Sequence, residues 1–142
     1  MKHLLLMTIF AIATGKSYAQ NHSLEFSINS VNSDKGKLYV QLFKGEDNFK
    51  KGAPHAAQIM PARKGNTLLV FSNLTPGEYA VRFFHDENND GKMSTNLFGI
   101  PSEGYGFSNN AQPVMAPPSY QDSKFTITSD TKVTQNSSDV IY

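Results

Sequence analysis

Apolar residues in this chain recur every second position, in short runs separated by turn residues. Leu24, Phe26 and Ile28 alternate with Glu25, Ser27 and Asn29. Leu38, Val40 and Leu42 alternate with Lys37, Tyr39 and Gln41, and Tyr79, Val81, Phe83 and His85 share one face opposite Ala80, Arg82 and Phe84. A period of two puts one set of side chains on a buried face and the other toward solvent, as in a half-buried strand. No window carries a 3.6-residue apolar stripe longer than two turns, so a helical bundle is excluded. Thr67 to Phe71 and the pair Phe125 and Ile127 mark further strands, while Ala56 to Met60 is a weaker run ending at Pro61. The segment around Thr131 to Ile141 is poorly patterned, because 135–139 contains no apolar residue. Residues 45–52 have room for one helical turn. Val31 to Gly36 and the Asn73-Leu-Thr-Pro-Gly77 sequence supply turns. The expectation is an all-β, antiparallel sandwich of about seven strands, transthyretin-like or immunoglobulin-like, with the first two strands adjacent.

The N-terminus has a different character. Lys2 and His3 precede an almost wholly apolar run, Leu4 to Ala13, and Ser17-Tyr18-Ala19 places small residues before Gln20. This is the layout of a cleavable secretory signal over 1–19. About ten apolar residues fall short of the roughly 20 that cross a hydrocarbon core, so no membrane span is expected once the signal is removed. One sandwich domain, 20–142, then remains, exported to the periplasm or beyond the cell. Removing 1–19 takes away Lys2 and Lys16, leaves 11 basic against 12 acidic side chains, and turns the net charge from +1 to −1. That balance excludes an electrostatic nucleic-acid binder. The absence of cysteine excludes disulfides, thiol nucleophiles and every cysteine-containing zinc site.

Residues 96–122 break the strand pattern. These 27 positions are rich in Gly, Pro, Asn and Ser, with no evident strand. Loops beyond about 12–15 residues in a compact domain are functional or disordered. Disorder goes with few aromatic residues, and this loop contains Phe98, Tyr105, Phe107 and Tyr120. An ordered loop is expected, with Tyr105, Phe107 and Tyr120 either stacking on a ligand or forming the loop's own core.

The sequence Leu74-Thr-Pro-Gly-Glu-Tyr79, followed by Phe84-His-Asp-Glu-Asn-Asn-Asp-Gly91, resembles a widespread bacterial family of exported proteins, the domain of unknown function 2141. The likeness continues through Thr95-Asn-Leu-Phe-Gly-Ile-Pro101, Glu103-Gly-Tyr-Gly-Phe-Ser-Asn-Asn-Ala111 and Pro117-Pro-Ser-Tyr120. The resemblance implies a small sandwich related to transthyretin-like and carboxypeptidase-regulatory-like domains, and it implies no particular activity.

One constellation has metal-ligand spacing. Asp86-Glu-Asn88-Asn-Asp90-Gly91 follows the D-x-N-x-D-G pattern of a calcium loop. Asp86, Asn88 and Asp90 would offer side-chain oxygens, Lys92 its carbonyl and Ser94 its hydroxyl. Leu97 stands where an EF-hand places its bidentate glutamate, so an EF-hand is excluded. Two readings stand: a loose calcium turn, binding at roughly 10⁻⁴–10⁻³ M, or a turn whose Asp and Asn side chains bond their own backbone.

Other chemistry is sparser. His22, His55 and His85 lack zinc spacing, and Ser108 lacks the second glycine of a nucleophile elbow. The leading expectation is a non-catalytic binding or accessory module that uses 86–122, with His85, Tyr105, Phe107 and Tyr120 as candidate ligand contacts. Its partner would be a small molecule, a glycan or an envelope protein. The alternatives are a hydrolase with His85, Asp86 and Glu103 converging, and a purely structural envelope protein.

Overall fold

A computed structural model describes residues 21–142; the signal expected over 1–19 lies outside them. Eight strands form two packed sheets. In chain order they are β1 (His22–Val31), β2 (Lys37–Lys44), β3 (Ala56–Pro61), β4 (Gly65–Leu74), β5 (Gly77–Asp86), β6 (Gly104–Phe107), β7 (Phe125–Ile127) and β8 (Val133–Asp139). Two short helices, α1 (Glu46–Lys51) and α2 (Tyr120–Ser123), and a 3-10 turn at Ser108–Asn110 lie in the connections. No helix among the described residues is long and apolar enough to cross a membrane.

The three-stranded sheet has the order β4-β1-β8, and the larger sheet has the order β3-β2-β5-β6. β2 occupies one edge of β5 along nearly its whole length, while β6 and β7 follow one another along the other edge. Every pairing is antiparallel except β1 with β8, which is parallel. The sandwich and the alternation are as expected from sequence.

Two details differ. β1 and β2 are not neighbours, because their apolar faces look at each other across the sandwich from opposite sheets. Alternation states which residues face inward and is silent about the hydrogen-bonded partner. The strand β6 lies inside the segment that shows no strand pattern in sequence, and α2 and the 3-10 turn follow it. Its inward positions are Gly104 and Gly106, which allow the strand to lie against Val140 and Tyr142 and against Phe83 and Ser138.

Leu24, Phe26 and Ile28 from β1 meet Leu38, Val40 and Leu42 from β2 and Tyr79, Val81 and Phe83 from β5. Phe26 and Phe83 join the two sheets edge to face at 6.1 Å, a geometry that adds about 0.5–1.5 kcal/mol to the burial itself. The open side between β8 and β6 is closed by hydrogen bonds. Tyr105 and Ile141 exchange backbone N–H bonds at 3.0 and 2.8 Å. Asn109 and Asn136 bond each other through backbone and side chain, and Asn110 Oδ1 accepts from Asp139 N. Such covering removes an unpaired edge that would otherwise recruit other chains. Ser108 fills the gap that β6 and β7 leave along β5. Its hydroxyl accepts from Val81 N at 2.8 Å and donates to the Ser123 carbonyl at 2.5 Å.

Candidate functional site

The last two residues of β5, His85 and Asp86, are wholly buried. His85 Nδ1 lies 2.8 Å from the Tyr142 hydroxyl and Nε2 lies 2.6 Å from the Lys35 carbonyl oxygen. The Tyr142 oxygen in turn accepts from Asn32 N at 2.9 Å. A carbonyl only accepts, so the proton assigned by this network sits on Nε2, and Nδ1 accepts the tyrosine proton. Both ring nitrogens thereby tie the end of β5 to the β1–β2 crossing and to the chain end.

The turn that follows is held largely by its own polar groups. Asp86 Oδ1 and Oδ2 accept from Asp90 N and Gly91 N at 3.2 and 3.0 Å. Asn88 Oδ1 accepts from Asp90 N, and Asp90 Oδ1 accepts from Lys92 N, both at 2.9 Å. Asn88 Nδ2 donates to Asp90 Oδ2 and to the Ser94 hydroxyl. The buried Glu103 carboxylate bridges the loop's two ends, accepting from Glu87 N at 3.1 Å and from Ser94 N at 2.9 Å.

Asp86, Asn88, Asp90, Lys92 and Ser94 are therefore brought together as a hydrogen-bonded turn, with Lys92 entering through its N–H. Among the described residues, no group of three or more His, Asp or Glu side chains is placed to hold a metal ion. Two carboxylates turned to backbone N–H groups make a weak donor set. An ion bound with a Kd of about 1 mM and supplied at about 10 mM would add roughly 1.4 kcal/mol, a rise in Tm of about 5 °C. The expected outcome of a calcium titration followed by thermal melting is a shift below about 1 °C. A saturating rise of several degrees would instead give the turn an ion.

His85, Asp86 and Glu103 are neighbours in this end of the fold, yet their polar atoms are engaged by Tyr142 and by backbone groups. None of the three lines the cavities described next.

Those cavities lie on the outer face of the five-stranded sheet. Tyr39, Gln41 and Phe43 from β2, Arg82 and Phe84 from β5, and Tyr105 and Phe107 from β6 share this face by the observed register. Tyr39 stacks on Phe84 at 4.9 Å, and Tyr105 meets Phe107 edge to face at 6.2 Å. A cavity of about 270 Å³ is lined by Gln41, Arg82, Phe84, Met93, Tyr105 and Phe107 among others. It shares Arg82, Met93, Tyr105 and Phe107 with a larger cavity of about 710 Å³, walled by α1 at Phe49 and by two arms, residues 93–101 and 113–118. The two form one groove. Its arms expose apolar side chains, with Phe98 88% exposed and Leu97, Ile100, Val114 and Met115 also exposed.

Arg82 stands at the meeting point. Its guanidinium carbon lies 4.6 Å from the Phe43 ring centre and 5.9 Å from that of Phe49, and its Nε donates to Gln41 Oε1 at 3.0 Å. Burial draws its pKa below the ordinary value.

Of the four candidate ligand contacts, the structure places Tyr105 and Phe107 in the groove, half-buried on its floor. Tyr120 is buried behind the wall, 5.7 Å from the Phe49 ring, and His85 faces the interior on the other side of β5. Sequence reasoning did not select Arg82 or Phe49. The available signal was the β5 alternation itself, which puts Arg82 between Ala80 and Phe84 on the face opposite the core. The outer face of the smaller sheet has a separate depression of about 370 Å³, lined chiefly by polar residues such as Glu25, Ser27 and Gln135. Glu25 and Gln135 bond each other there, and Leu68, which is exposed, is the apolar side chain of its lining.

A family model described as "Uncharacterized protein conserved in bacteria (DUF2141)" matches residues 26–136. No curated protein and no solved structure matches the chain.

Proposed function

The chain belongs to that bacterial family, and we propose that its sandwich is a non-catalytic binding module whose site is the groove on the five-stranded sheet. The observation that carries this reading is the continuous cavity of about 710 Å³ with an apolar lining and exposed apolar arms. Ligand sites are concave, largely apolar and of about 300–1,000 Å³, with few polar groups to orient the occupant. The ligand is elongated and mainly apolar, and it lies between the arms over Tyr105 and Phe107. A module of this kind acts outside the cytoplasm, in keeping with the export signal read over 1–19 and the lack of cysteine. The engagement of His85, Asp86 and Glu103 by structural partners favours binding over hydrolysis.

The experiment is a titration of the protein with Nile red, an uncharged fluorophore that brightens in apolar surroundings, displaced by 1-dodecanol. Removing both floor rings in Tyr105→Ala/Phe107→Ala is expected to weaken binding at least about tenfold, since fully burying a large apolar side chain is worth about 1.5–3 kcal/mol and the ligand covers part of each ring. Circular dichroism checks that the fold persists. Unchanged affinity in that folded variant, or no binding by the wild type, would remove the groove as the site.

A further inference from the structure

Resting on the groove reading, we propose that Arg82 makes the groove selective for a single-chain amphiphile with an anionic head, a long-chain carboxylate. Arg82 is a half-buried cation at the junction of the two cavities, and it lines both. Among the described residues the ion pairs are Lys50–Glu46 and Lys124–Glu78, and neither involves it. Gln41 takes its Nε–H, and no acceptor among the described residues takes its Nη groups. The Phe43 and Phe49 rings compensate part of the charge by cation–π attraction. With Nε held by Gln41, the two Nη groups are left as a fork of donors for a carboxylate, which it matches in two parallel hydrogen bonds. A cation partly withdrawn from water gains from a partner, and the ligand's head supplies that counter-charge.

The rest of the groove decides what carries that head. An extended peptide gains affinity by pairing its backbone with a sheet edge. Here the floor is a sheet face: β5 is paired on both sides, and β6 is paired with β5 and bridged to Ile141. A peptide laid across it would leave its own N–H and C=O groups unpaired, at the cost that burying unpartnered polar groups carries. A glycan would need many hydroxyl partners. Gln41, Arg82 and the Tyr105 hydroxyl are the polar side-chain groups lining the groove, and the rings of Tyr105 and Phe107 stand at 85° rather than forming a flat platform. An alkyl chain asks only for apolar contact. Met93 and Met115, together with Phe98, Ile100 and Pro117, supply it, and methionine adapts readily to a flexible occupant.

The test compares dodecanoate, kept below its micelle concentration, with 1-dodecanol as competitors of Nile red. Wild type, Arg82→Met and Arg82→Lys are each titrated. The wild type is expected to prefer dodecanoate by at least about tenfold, the effect of a charge-assisted pair of hydrogen bonds. Arg82→Met is expected to lose that preference, read as the ratio of dodecanoate to 1-dodecanol affinity within the variant. Arg82→Lys keeps the charge without the fork and retains part of the preference, which covers the case in which Arg82→Met fails to fold. Equal wild-type affinity for the two ligands would overturn the head-group assignment and leave the groove standing. Failure of both ligands to displace the dye would overturn the groove reading, and this inference with it.

Discussion

Gly36→Ala is expected to destabilise the protein by about 3–5 kcal/mol, seen as a fall in the urea midpoint and a drop in Tm of more than 10 °C or so. Gly36 has φ of +71°, and a Cβ added there would lie 1.8 Å from the Asp86 carbonyl oxygen and 2.8 Å from the Glu87 Cα. Both obstacles are backbone, so no rotamer change relieves them. The left-handed conformation alone costs a non-glycine residue about 1–2 kcal/mol. Moving the crossing away would break the His85 Nε2–Lys35 hydrogen bond and the contact between Ser33 and Glu87. A buried polar group left unpaired costs about 1–3 kcal/mol. Gly45→Ala is the control. Gly45 has φ of +80° and ψ of 158°, a region essentially restricted to glycine, with nothing within 4 Å of the added Cβ, so it carries a backbone cost of about 1–3 kcal/mol without the collision. The excess loss in Gly36→Ala is expected from the close approach of the β1–β2 crossing to the end of β5. Equal destabilisation would mean that the crossing gives way freely.

That approach is the kind of fact an alternating pattern does not contain. The runs at Leu24, Leu38 and Tyr79 stated correctly which side chains enter the core, since burial of alternate residues is what the pattern encodes. They carry no information on partner or sheet, and the expectation that β1 and β2 are adjacent is wrong: the two face each other from opposite sheets. β6 escaped notice because its inward residues are Gly104 and Gly106 and its rings point outward, the reverse of an ordinary half-buried strand. β8 has no apolar residue over 135–139 and is held by parallel pairing with β1 and by Asn109 and Asn110 instead. Hydrogen bonds of that sort leave no hydropathy signal. The 86–90 turn was legible as a turn. Its clamp was not, because Glu103 lies 16 residues from Glu87 in the chain, and only the folded path of 95–103 returns it. The groove was legible in part. Tyr105 and Phe107 stood out as rings in a long segment, whereas Arg82 gains its meaning from Phe43 and Phe49, which lie on other elements.

The same clamp yields the second large effect. Glu103→Ala is expected to cost about 3–5 kcal/mol, because each of two N–H bonds to a carboxylate is worth about 1.5–3 kcal/mol and both donors sit in a partly buried loop. Glu103→Gln separates the charge from the shape. Its amide keeps one acceptor for Glu87 N or Ser94 N and turns an NH₂ toward the other, so the expected loss is intermediate, about 2–3 kcal/mol. Urea denaturation at constant pH measures both. The consequence extends to the groove, since Met93 lies beside Ser94 and Glu103 immediately precedes the strand that carries Tyr105 and Phe107. Releasing Ser94 frees one arm from the floor it overhangs, and Nile red binding is expected to weaken about tenfold or more in Glu103→Ala at temperatures where the variant remains folded. Lost stability with unchanged dye affinity would show that the groove is shaped by the sheet alone. Losing both together would make the acidic turn the brace of the binding site, with Glu103 as the link between the turn and the groove.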